Sequence, residues 1–293
     1  MIYMANRDHQ RSYYSFFSTY DNHVTVDPKQ MVVPIDDHGF HRGDGVFEAI
    51  KWVGNKIWLL DPHLSRLEKS CDKIKISLPL SINETKKKIE ELVAISKAQQ
   101  GIIRVFITRG PGSFGISPYE STASQMYIVT TELKDWSIDK VQKGVAIRKS
   151  EITPKKGIFA QVKSLNYLPN VLMKKEAIDS GFDYAFGIGE SGEVLESSTE
   201  NLSIIKGTTI VSPLFDSTLR GTSLIRLTEL LSKDSQMTWQ QRNFSYQELI
   251  DADEVFLVGT TLDVLPVTRI GDLAKPQTEK SLWLRSILQA DQK

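Results

Sequence analysis

The stretch that decides the interpretation is VKSLNYLPN, residues 162–170, which contains a single basic side chain, Lys163. A second informative stretch, VLESSTEN, covers residues 194–201 and places Glu196 33 positions after the lysine. A lysine amine can condense with an aldehyde when its surroundings keep it partly neutral. A fixed carboxylate can keep a pyridine nitrogen protonated. The two residues therefore supply two functions that one cofactor could use.

Pyridoxal phosphate needs both functions, because it has an aldehyde that an amine can hold and a pyridine ring that draws electrons better when it is protonated. The chain contains 36 lysine and arginine residues, and most such side chains are solvated surface charges. The prediction of a pyridoxal phosphate site at Lys163 and Glu196 therefore depends on the motifs that accompany them.

Further motifs are DDHGFHRGDGVFE at residues 36–48, HLSRL at 63–67, LRGTS at 219–223 and VGTT at 258–261. Together with the two stretches above, this ordered set resembles the class IV (fold type IV) pyridoxal-phosphate aminotransferases. That family includes branched-chain aminotransferases, D-amino-acid aminotransferases and aminodeoxychorismate lyases. The resemblance covers roughly residues 30 to 270.

The resemblance implies an α/β (α+β) fold of two domains with the cofactor in the cleft between them, and a homodimer. The length of 293 residues also suits two domains better than one. The polar stretch 132–140 is the predicted linker. We therefore expect an N-terminal α/β domain over residues 1–134 and a C-terminal α/β domain over residues 135–293 that carries Lys163.

Composition excludes some classes of partner. Basic and acidic residues balance at 36 each, so the net charge gives no general attraction to nucleic acid or to anionic membranes. The one cysteine, Cys71, cannot form an internal disulfide, and its spacing to Leu67 and Ile74 predicts a buried helix position. Neither a signal-type segment nor a membrane-spanning run is predicted, so a cytoplasmic location is expected. The five histidines lack metal-ligand spacing, and no metal site is predicted.

Periodicity and turn residues predict the local structure. The residues near position 15 fit a short strand or an arm. Helix starts are predicted at Asp61 and at the capping box Ser81-Ile82-Asn83-Glu84, with Gly101 as the stop of the second helix. Strands are predicted at 46–53, 102–109, 125–131, 144–150, 183–188, 192–197, 202–212 and 254–258, and helices at 167–180, 222–233 and 277–290.

A phosphate group needs cations and N–H or O–H donors, and three segments offer them. Arg66 can grip two phosphate oxygens with its guanidinium. Thr222 and Ser223 open an amphipathic helix, where backbone N–H groups favour an anion. Thr260 follows a glycine at the end of an apolar strand and could complete the phosphate site.

The resemblance assigns roles to the remaining cofactor residues. Lys163 would carry the cofactor and then move a proton between the substrate α-carbon and the cofactor. Glu196 would hold the proton on the pyridine nitrogen. Tyr167 matches the branched-chain aminotransferase pattern, in which the phenol bonds the 3-oxygen of the cofactor.

Candidate substrate residues are Phe47, Arg104 and Thr261, and Glu48 completes an aromatic–glutamate pair that resembles the transaminases of the class. One departure concerns the loop after the 102–109 strand. Bacterial D-amino-acid aminotransferases carry an Arg-x-His pair there, whereas this chain has Phe114-Gly115-Ile116. The predicted substrates are amino acids, of D or branched-chain type, and 2-oxo acids.

Three functions stay open at this point. The leading interpretation is a pyridoxal-phosphate aminotransferase, which Glu48 favours. An aminodeoxychorismate lyase that releases pyruvate and 4-aminobenzoate would use the same lysine. A non-catalytic cofactor binder is disfavoured, because scaffolding alone does not require Lys163, Glu196 and Arg66 together.

Overall fold

The computed structural model describes residues 8–134, 136–232 and 237–293. The contacts divide the chain into two compact units. The N-terminal unit comprises Met1–Lys134 with Val162–Asn166, and the C-terminal unit comprises Asp135–Gln161 with Tyr167–Lys293. Each unit combines helices with a sheet, which confirms the predicted α/β (α+β) class.

The N-terminal unit is an antiparallel sheet covered by helices. Its strands follow the order β2-β1-β6-β5-β3-β4. The strands are β1 (Tyr13–Ser18), β2 (His23–Thr25), β3 (Gly45–Val53), β4 (Lys56–Ile57), β5 (Gln100–Thr108) and β6 (Gln125–Thr131). The helices are α1 (His38–Arg42), α2 (Leu60–Ile74) and α3 (Ile82–Ser96), and short 3₁₀ turns cover Asp8–Ser12, Pro28–Gln30 and Pro118–Glu120.

Alternation along β3 explains how this unit is packed. Val46, Ile50 and Trp52 are fully buried and belong to one apolar cluster with Leu64 and Leu67 of α2. Successive side chains of a strand point to opposite faces, so these even-numbered positions face the helices. Cys71 of α2 joins the same cluster at 1% exposure, which confirms its predicted packing position.

One predicted helix boundary in this unit is off by one residue, and another is wrong. Helix α2 begins at Leu60 with Leu59 as N-cap, so Asp61 lies inside the first turn rather than before it. Helix α3 has the predicted capping box but ends at Ser96, where Lys97 takes the left-handed conformation (φ 55°). Gly101 instead lies in β5 opposite Trp52. A glycine is needed there because an added Cβ would lie 1.9 Å from the Trp52 ring.

The C-terminal unit is a mixed sheet with helices. Its strands follow the order β12-β11-β10-β13-β14-β7-β8-β9, and β15 pairs with β14. The strands are β7 (Val145–Lys149), β8 (Tyr184–Ile188), β9 (Val194–Ser197), β10 (Asn201–Lys206), β11 (Thr209–Ser212), β12 (Thr238–Gln241), β13 (Glu254–Gly259), β14 (Asp263–Ile270) and β15 (Leu273–Ala274). The helices are α4 (Ile138–Lys143), α5 (Ile158–Gln161), α6 (Leu168–Asp179), α7 (Thr222–Leu231), α8 (Tyr246–Asp251) and α9 (Glu279–Ala290).

Two predictions in this unit need correction. The single strand predicted at 202–212 is two antiparallel strands, β10 and β11, because Gly207 turns the chain at φ 59°. The polar stretch 132–140 contains the division between the two units, but it is not a linker throughout, since Ser137 caps α4 within it; residue 135 lies outside the described residues. Helix α7 begins at the predicted position, and its predicted end at 233 also lies outside the described residues. In the described ranges, no helix combines the length and the apolar character that crossing a bilayer requires.

Residues Val162–Asn166, which include Lys163, belong to the N-terminal unit, whereas the sequence predicted Lys163 in the C-terminal domain. The reason is backbone pairing with β3. The N–H of Phe47 donates to the carbonyl of Lys163 at 2.9 Å, and the N–H of Leu165 donates to the carbonyl of Gly45 at 2.9 Å. Local sequence patterns cannot show this pairing, because more than a hundred residues separate the partners.

Candidate active site

A buried carboxylate joins β3 to α2 in the N-terminal unit. Glu48 accepts hydrogen bonds from Arg66 Nε at 2.7 Å, from Arg66 Nη2 at 2.8 Å and from His63 Nδ1 at 2.7 Å. The side chains of Glu48 and His63 are completely buried, and that of Arg66 is 14% exposed. His63 and Arg66 lie three positions apart on α2, so they face the same strand. The carboxylate therefore fixes the guanidinium that the sequence assigned to phosphate binding.

The charge states in this cluster follow from burial and pairing. Burial by itself would raise the pKa of Glu48, but the charge and hydrogen bonds of Arg66, followed by those of His63, hold it well below its usual range. Burial lowers the pKa of His63, and Glu48 opposes that effect only in part. The cluster is therefore an ionised Glu48 between a cationic Arg66 and a neutral His63 that donates through Nδ1.

His63 lies within one of the quoted motifs, but no role was predicted for it from the sequence. Its signal was the spacing to Arg66, which puts both side chains on one side of a helix. Glu48 was grouped with Phe47 as a substrate pair, and the structure places the two on opposite faces of β3, as strand alternation requires. Glu48 thus contacts α2, and Phe47 stacks on Phe106 of β5 with ring centroids 6.1 Å apart.

Lys163 is held at the edge of the same sheet. Its backbone pairs with Phe47, and its amine lies 4.6 Å from the centre of the Phe47 ring. The lysine side chain is partly buried. The aromatic ring supports the aliphatic stem and attracts the ammonium group, so the direction of the amine is set by Phe47.

Arg104 lies on the face of the sheet that carries Phe47. In the β3–β5 register, Arg104 pairs with Ala49 and Phe106 pairs with Phe47. Arg104 Nη1 donates to Thr131 Oγ1 at 2.8 Å, and burial lowers the pKa of its guanidinium below the ordinary value. A partly desolvated cation of this kind favours an anionic group beside it.

Glu196 is fixed by its neighbours in the C-terminal unit. It lies on β9, and its Oε2 accepts from the backbone N–H of Leu219 at 3.1 Å and from Asn201 Nδ2 at 3.4 Å. The same Asn201 amide donates to the Leu219 carbonyl at 2.9 Å. This arrangement ties the carboxylate to the segment that leads into α7.

The start of α7 has the features of an anion site. Gly221 is the N-cap of α7, and it has no side chain that could accept hydrogen bonds from the first N–H groups of the helix. Ser223 is 2% exposed, and its Oγ has no hydrogen-bond partner among the described residues. A buried hydroxyl at a helix N-terminus is suited to an anionic oxygen. Thr222 lies beside it and is also buried.

Thr260 and Thr261 lie in the tight connection between β13 and β14. Gly259 pairs with Asp263, so the threonines form part of the turn of a β-hairpin. Thr260 is partly buried and Thr261 is exposed.

Tyr167 is the N-cap residue of α6, and the amine of Lys155 lies 5.0 Å from its ring centre. Burial lowers the pKa of Lys155, while Glu196 opposes this change. Lys155 was not predicted, because a lysine after a proline in a loop carries no periodic signal. Among the described residues, no group of three or more His, Cys, Asp or Glu residues could hold a metal ion.

The comparison with protein families identifies the class of this protein. The family described as Amino-transferase class IV matches residues 45–270, which is most of the chain. The chain belongs to this family. The resemblance predicted from the motifs is therefore confirmed, and this class IV aminotransferase-family protein is an enzyme.

Individual relatives carry several names. A D-amino-acid transaminase of Arabidopsis thaliana is 32% identical over 263 residues, which cover 88% of this chain and 70% of the relative. A 4-amino-4-deoxychorismate lyase from Pseudomonas aeruginosa has a TM-score of 0.78 at 26% identity and covers 89% of this chain and 95% of its own.

A branched-chain aminotransferase from the thermophilic archaeon Thermoproteus uzoniensis, solved with norvaline, has a TM-score of 0.85 at 21% identity over 94% of this chain and 94% of its own. That likeness concerns the fold and confirms the predicted fold type IV class.

Proposed function

We propose that this enzyme binds pyridoxal 5′-phosphate through Lys163 and transfers an amino group between an amino acid and a 2-oxo acid. The observation that carries the proposal is the placement of Lys163, whose backbone is paired with β3 and whose amine is held against Phe47. Membership of the class IV family supports the same assignment.

The residues of the C-terminal unit fit the phosphate of this cofactor. Ser223 Oγ is a buried hydroxyl without a partner among the described residues, and it lies at the N-terminus of a ten-residue helix. Leaving such a group unpaired costs free energy that an anionic oxygen would recover. We assign Thr222, Ser223 and Thr260 to the phosphate. Arg66 is the proposed cation, and Glu48 holds its guanidinium in place through two hydrogen bonds.

Bound pyridoxal phosphate supplies an aldehyde and a ring that stabilises negative charge at the substrate α-carbon. In this proposal, Lys163 Nζ accepts the α-proton and returns it. Glu196 holds a proton at the ring nitrogen, for which its carboxylate is oriented by Leu219 and Asn201. Tyr167 would donate a hydrogen bond to the 3-oxygen of the bound cofactor.

We propose Phe47, Arg104 and Thr261 as substrate contacts. Arg104 is a partly desolvated cation, which suits a substrate carboxylate. The relative at 32% identity is a D-amino-acid transaminase, which supports D-amino acids as the first substrates to test. Branched-chain amino acids are the alternative within the same reaction.

A second candidate function is 4-amino-4-deoxychorismate lyase, with pyruvate and 4-aminobenzoate as products. The observation that favours it is the 26% identity to the Pseudomonas aeruginosa lyase over 89% of the chain. Both reactions begin with removal of a proton from a carbon next to the cofactor, so the cofactor residues do not separate them.

The predicted homodimer and cytoplasmic location remain proposals. Exposed apolar side chains in the N-terminal unit support an association between copies, since Phe114 is 62%, Ile116 is 86% and Tyr119 is 93% exposed. A buried, unpaired Cys71 is compatible with a reducing compartment.

The test of the proposed function starts from the purified holoenzyme. We expect a visible absorption band that borohydride abolishes, and we expect Lys163→Ala to lose both the band and turnover. Lys175→Ala is the matched control, because Lys175 forms an exposed pair with Asp179 on α6. An unchanged band or unchanged turnover in Lys163→Ala would refute the assignment.

A substrate panel separates the candidate activities. The enzyme is incubated with D- and L-amino acids plus 2-oxoglutarate or pyruvate, and separately with aminodeoxychorismate. Amino transfer to the 2-oxo acid supports the proposal. Release of pyruvate from aminodeoxychorismate without an amino acceptor supports the lyase instead, and cofactor binding without either reaction supports a binding protein.

A further inference from the structure

Helix α9 contacts the turn that carries Thr260 and Thr261. The side chain of Arg285, on α9, is buried and donates through Nη1 to the carbonyls of Leu262 and Val264, the second at 2.8 Å. Both acceptors lie shortly after the two threonines. The guanidinium of Arg285 therefore attaches the backbone of the hairpin turn to helix α9.

Asp263 completes this attachment. It has a left-handed backbone conformation (φ 60°), which is uncommon for a residue other than glycine. Its carboxylate accepts from Gln292 Nε2 at 2.7 Å and from Gln289 Nε2 at 3.1 Å, and Arg285 Nη2 lies 3.6 Å away. The polar groups at the end of α9 offset the cost of this backbone conformation and fix the turn in one geometry.

The same end of α9 also contacts α7, the helix that begins with Thr222 and Ser223. Arg226 Nε donates to Asp291 Oδ2 at 3.0 Å, and Arg226 Nη2 donates to Asp291 Oδ1. This is a two-point pair between a planar guanidinium and a carboxylate, and the Asp291 side chain is only 14% exposed. Arg226 lies one helical turn after the proposed phosphate residues.

We propose that Arg285, Gln289, Asp291 and Gln292 form a positioning clamp that holds the hairpin turn of Thr260 and the start of α7 at a fixed separation. The clamp rests on the proposed function, in which these two segments bind the phosphate from different parts of the C-terminal unit. The clamp residues act through Asp263, Arg226 and the carbonyls of Leu262 and Val264, and so set phosphate affinity by preorganisation.

A clamp and a merely structural network predict different measurements. A structural network would lower the thermal stability of the cofactor-free protein and weaken every ligand alike. A positioning clamp leaves the fold stable and weakens specifically the ligand that carries a phosphate. Pyridoxal and pyridoxal phosphate differ in that group alone, so the two compounds separate the cases.

The experiment titrates cofactor-free protein with pyridoxal phosphate and, separately, with pyridoxal, using the absorption spectrum. For Asp291→Asn we expect the Kd for pyridoxal phosphate to rise about tenfold and the Kd for pyridoxal to change by less than about twofold. The Tm of the cofactor-free protein is expected to stay within about 2 °C of the wild type. The double variant Arg226→Asp/Asp291→Arg keeps the pair with reversed charges and is expected to regain most of the affinity.

The remaining outcomes each decide one question. Equal weakening of both ligands, or an unchanged Kd for pyridoxal phosphate, overturns the clamp. Gln292→Ala gives a second test through Asp263, and Lys175→Ala is the control for loss of an exposed charge pair. If the wild type binds no pyridoxal phosphate, the proposed function itself fails. Normal wild-type binding with unaffected variants refutes the clamp alone.

Discussion

Lys163 and Phe47 make two contacts: the backbone N–H of Phe47 donates to the carbonyl of Lys163, and the Lys163 amine lies 4.6 Å from the centre of the Phe47 ring. The backbone pairing places the lysine, and the ring directs its amine. The two effects can be separated by mutation, because a side-chain change at position 47 leaves the backbone hydrogen bond in place.

We expect Phe47→Leu to lower kcat about fivefold, since a contact between an amine and an aromatic face contributes on the order of 1 kcal/mol. Phe47→Tyr retains the ring and is expected to retain most of the rate. Steady-state kinetics with a saturating amino acid measure both. A Phe47→Leu enzyme with normal kcat and a raised KM would show that the ring acts only as the proposed substrate contact and does not orient the lysine.

The buried cluster of Glu48 gives a prediction on stability. We expect Glu48→Gln to lower the free energy of unfolding by about 3 kcal/mol at neutral pH. The substitution removes the negative charge that pairs with the largely buried guanidinium of Arg66. Lys86→Ala, which removes an exposed pair with Asp61, should cost less than about 1 kcal/mol. Urea unfolding of both variants measures the difference.

The pH dependence of this difference has a defined sign. The pKa of Glu48 is lower in the folded protein than the ordinary value of 4.5. The stability that ionised Glu48 contributes is therefore fully present above pH 4.5, and it is lost as the pH falls through the lower pKa of Glu48 in the folded protein. The gap between wild type and Glu48→Gln should be constant near neutral pH and should shrink below about pH 4. A gap that widens in acid would contradict the assigned charge state.

Ser223→Ala should leave the cofactor-free protein at least as stable as the wild type, but it should weaken the binding of pyridoxal phosphate. Removing a buried hydroxyl without a partner among the described residues should leave the Tm of the cofactor-free protein unchanged or raise it. Loss of a hydrogen bond to an anion should raise the Kd for pyridoxal phosphate about tenfold. Scanning calorimetry and spectral titration test the two parts. A destabilised free protein with normal affinity would place Ser223 outside the phosphate site.

Gly101→Ala should destabilise the N-terminal unit by about 3 kcal/mol, since the new methyl group would overlap the ring of Trp52. The expected signature is a lower urea midpoint. Shrinking the neighbour in Gly101→Ala/Trp52→Phe should restore part of the loss. Equal stability of Gly101→Ala and wild type would mean that the tryptophan can move aside without cost.

Local sequence signals predicted much of the fold. β6 has the predicted bounds, and α7 begins where a glycine precedes an apolar helical pattern. Such elements are specified by their own residues, through strand propensity or a cap. The sequence also placed Lys163 and Glu196 in motifs typical of a class IV enzyme, and the family match confirms that class.

Other features depend on residues far apart in the chain, and the sequence did not show them. Gly101 was interpreted as a helix stop, although its role is to make room for Trp52. The pairing of Lys163 with β3 and the contact of Lys155 with Tyr167 likewise arise from tertiary packing. A single glycine or lysine is a weak local signal, because the structural role of such a residue depends on the side chain that packs against it.

The position of β7 has a consequence for synthesis on the ribosome. This strand lies between β8 and β14 and pairs with both in parallel, and Val145 meets Val267 near the far end of the chain. While the polypeptide is still emerging, one edge of β7 has no sheet neighbour to cover it. Open edges of this kind recruit strands of other molecules. The rate of translation and the growth temperature should therefore influence the yield of recombinant enzyme.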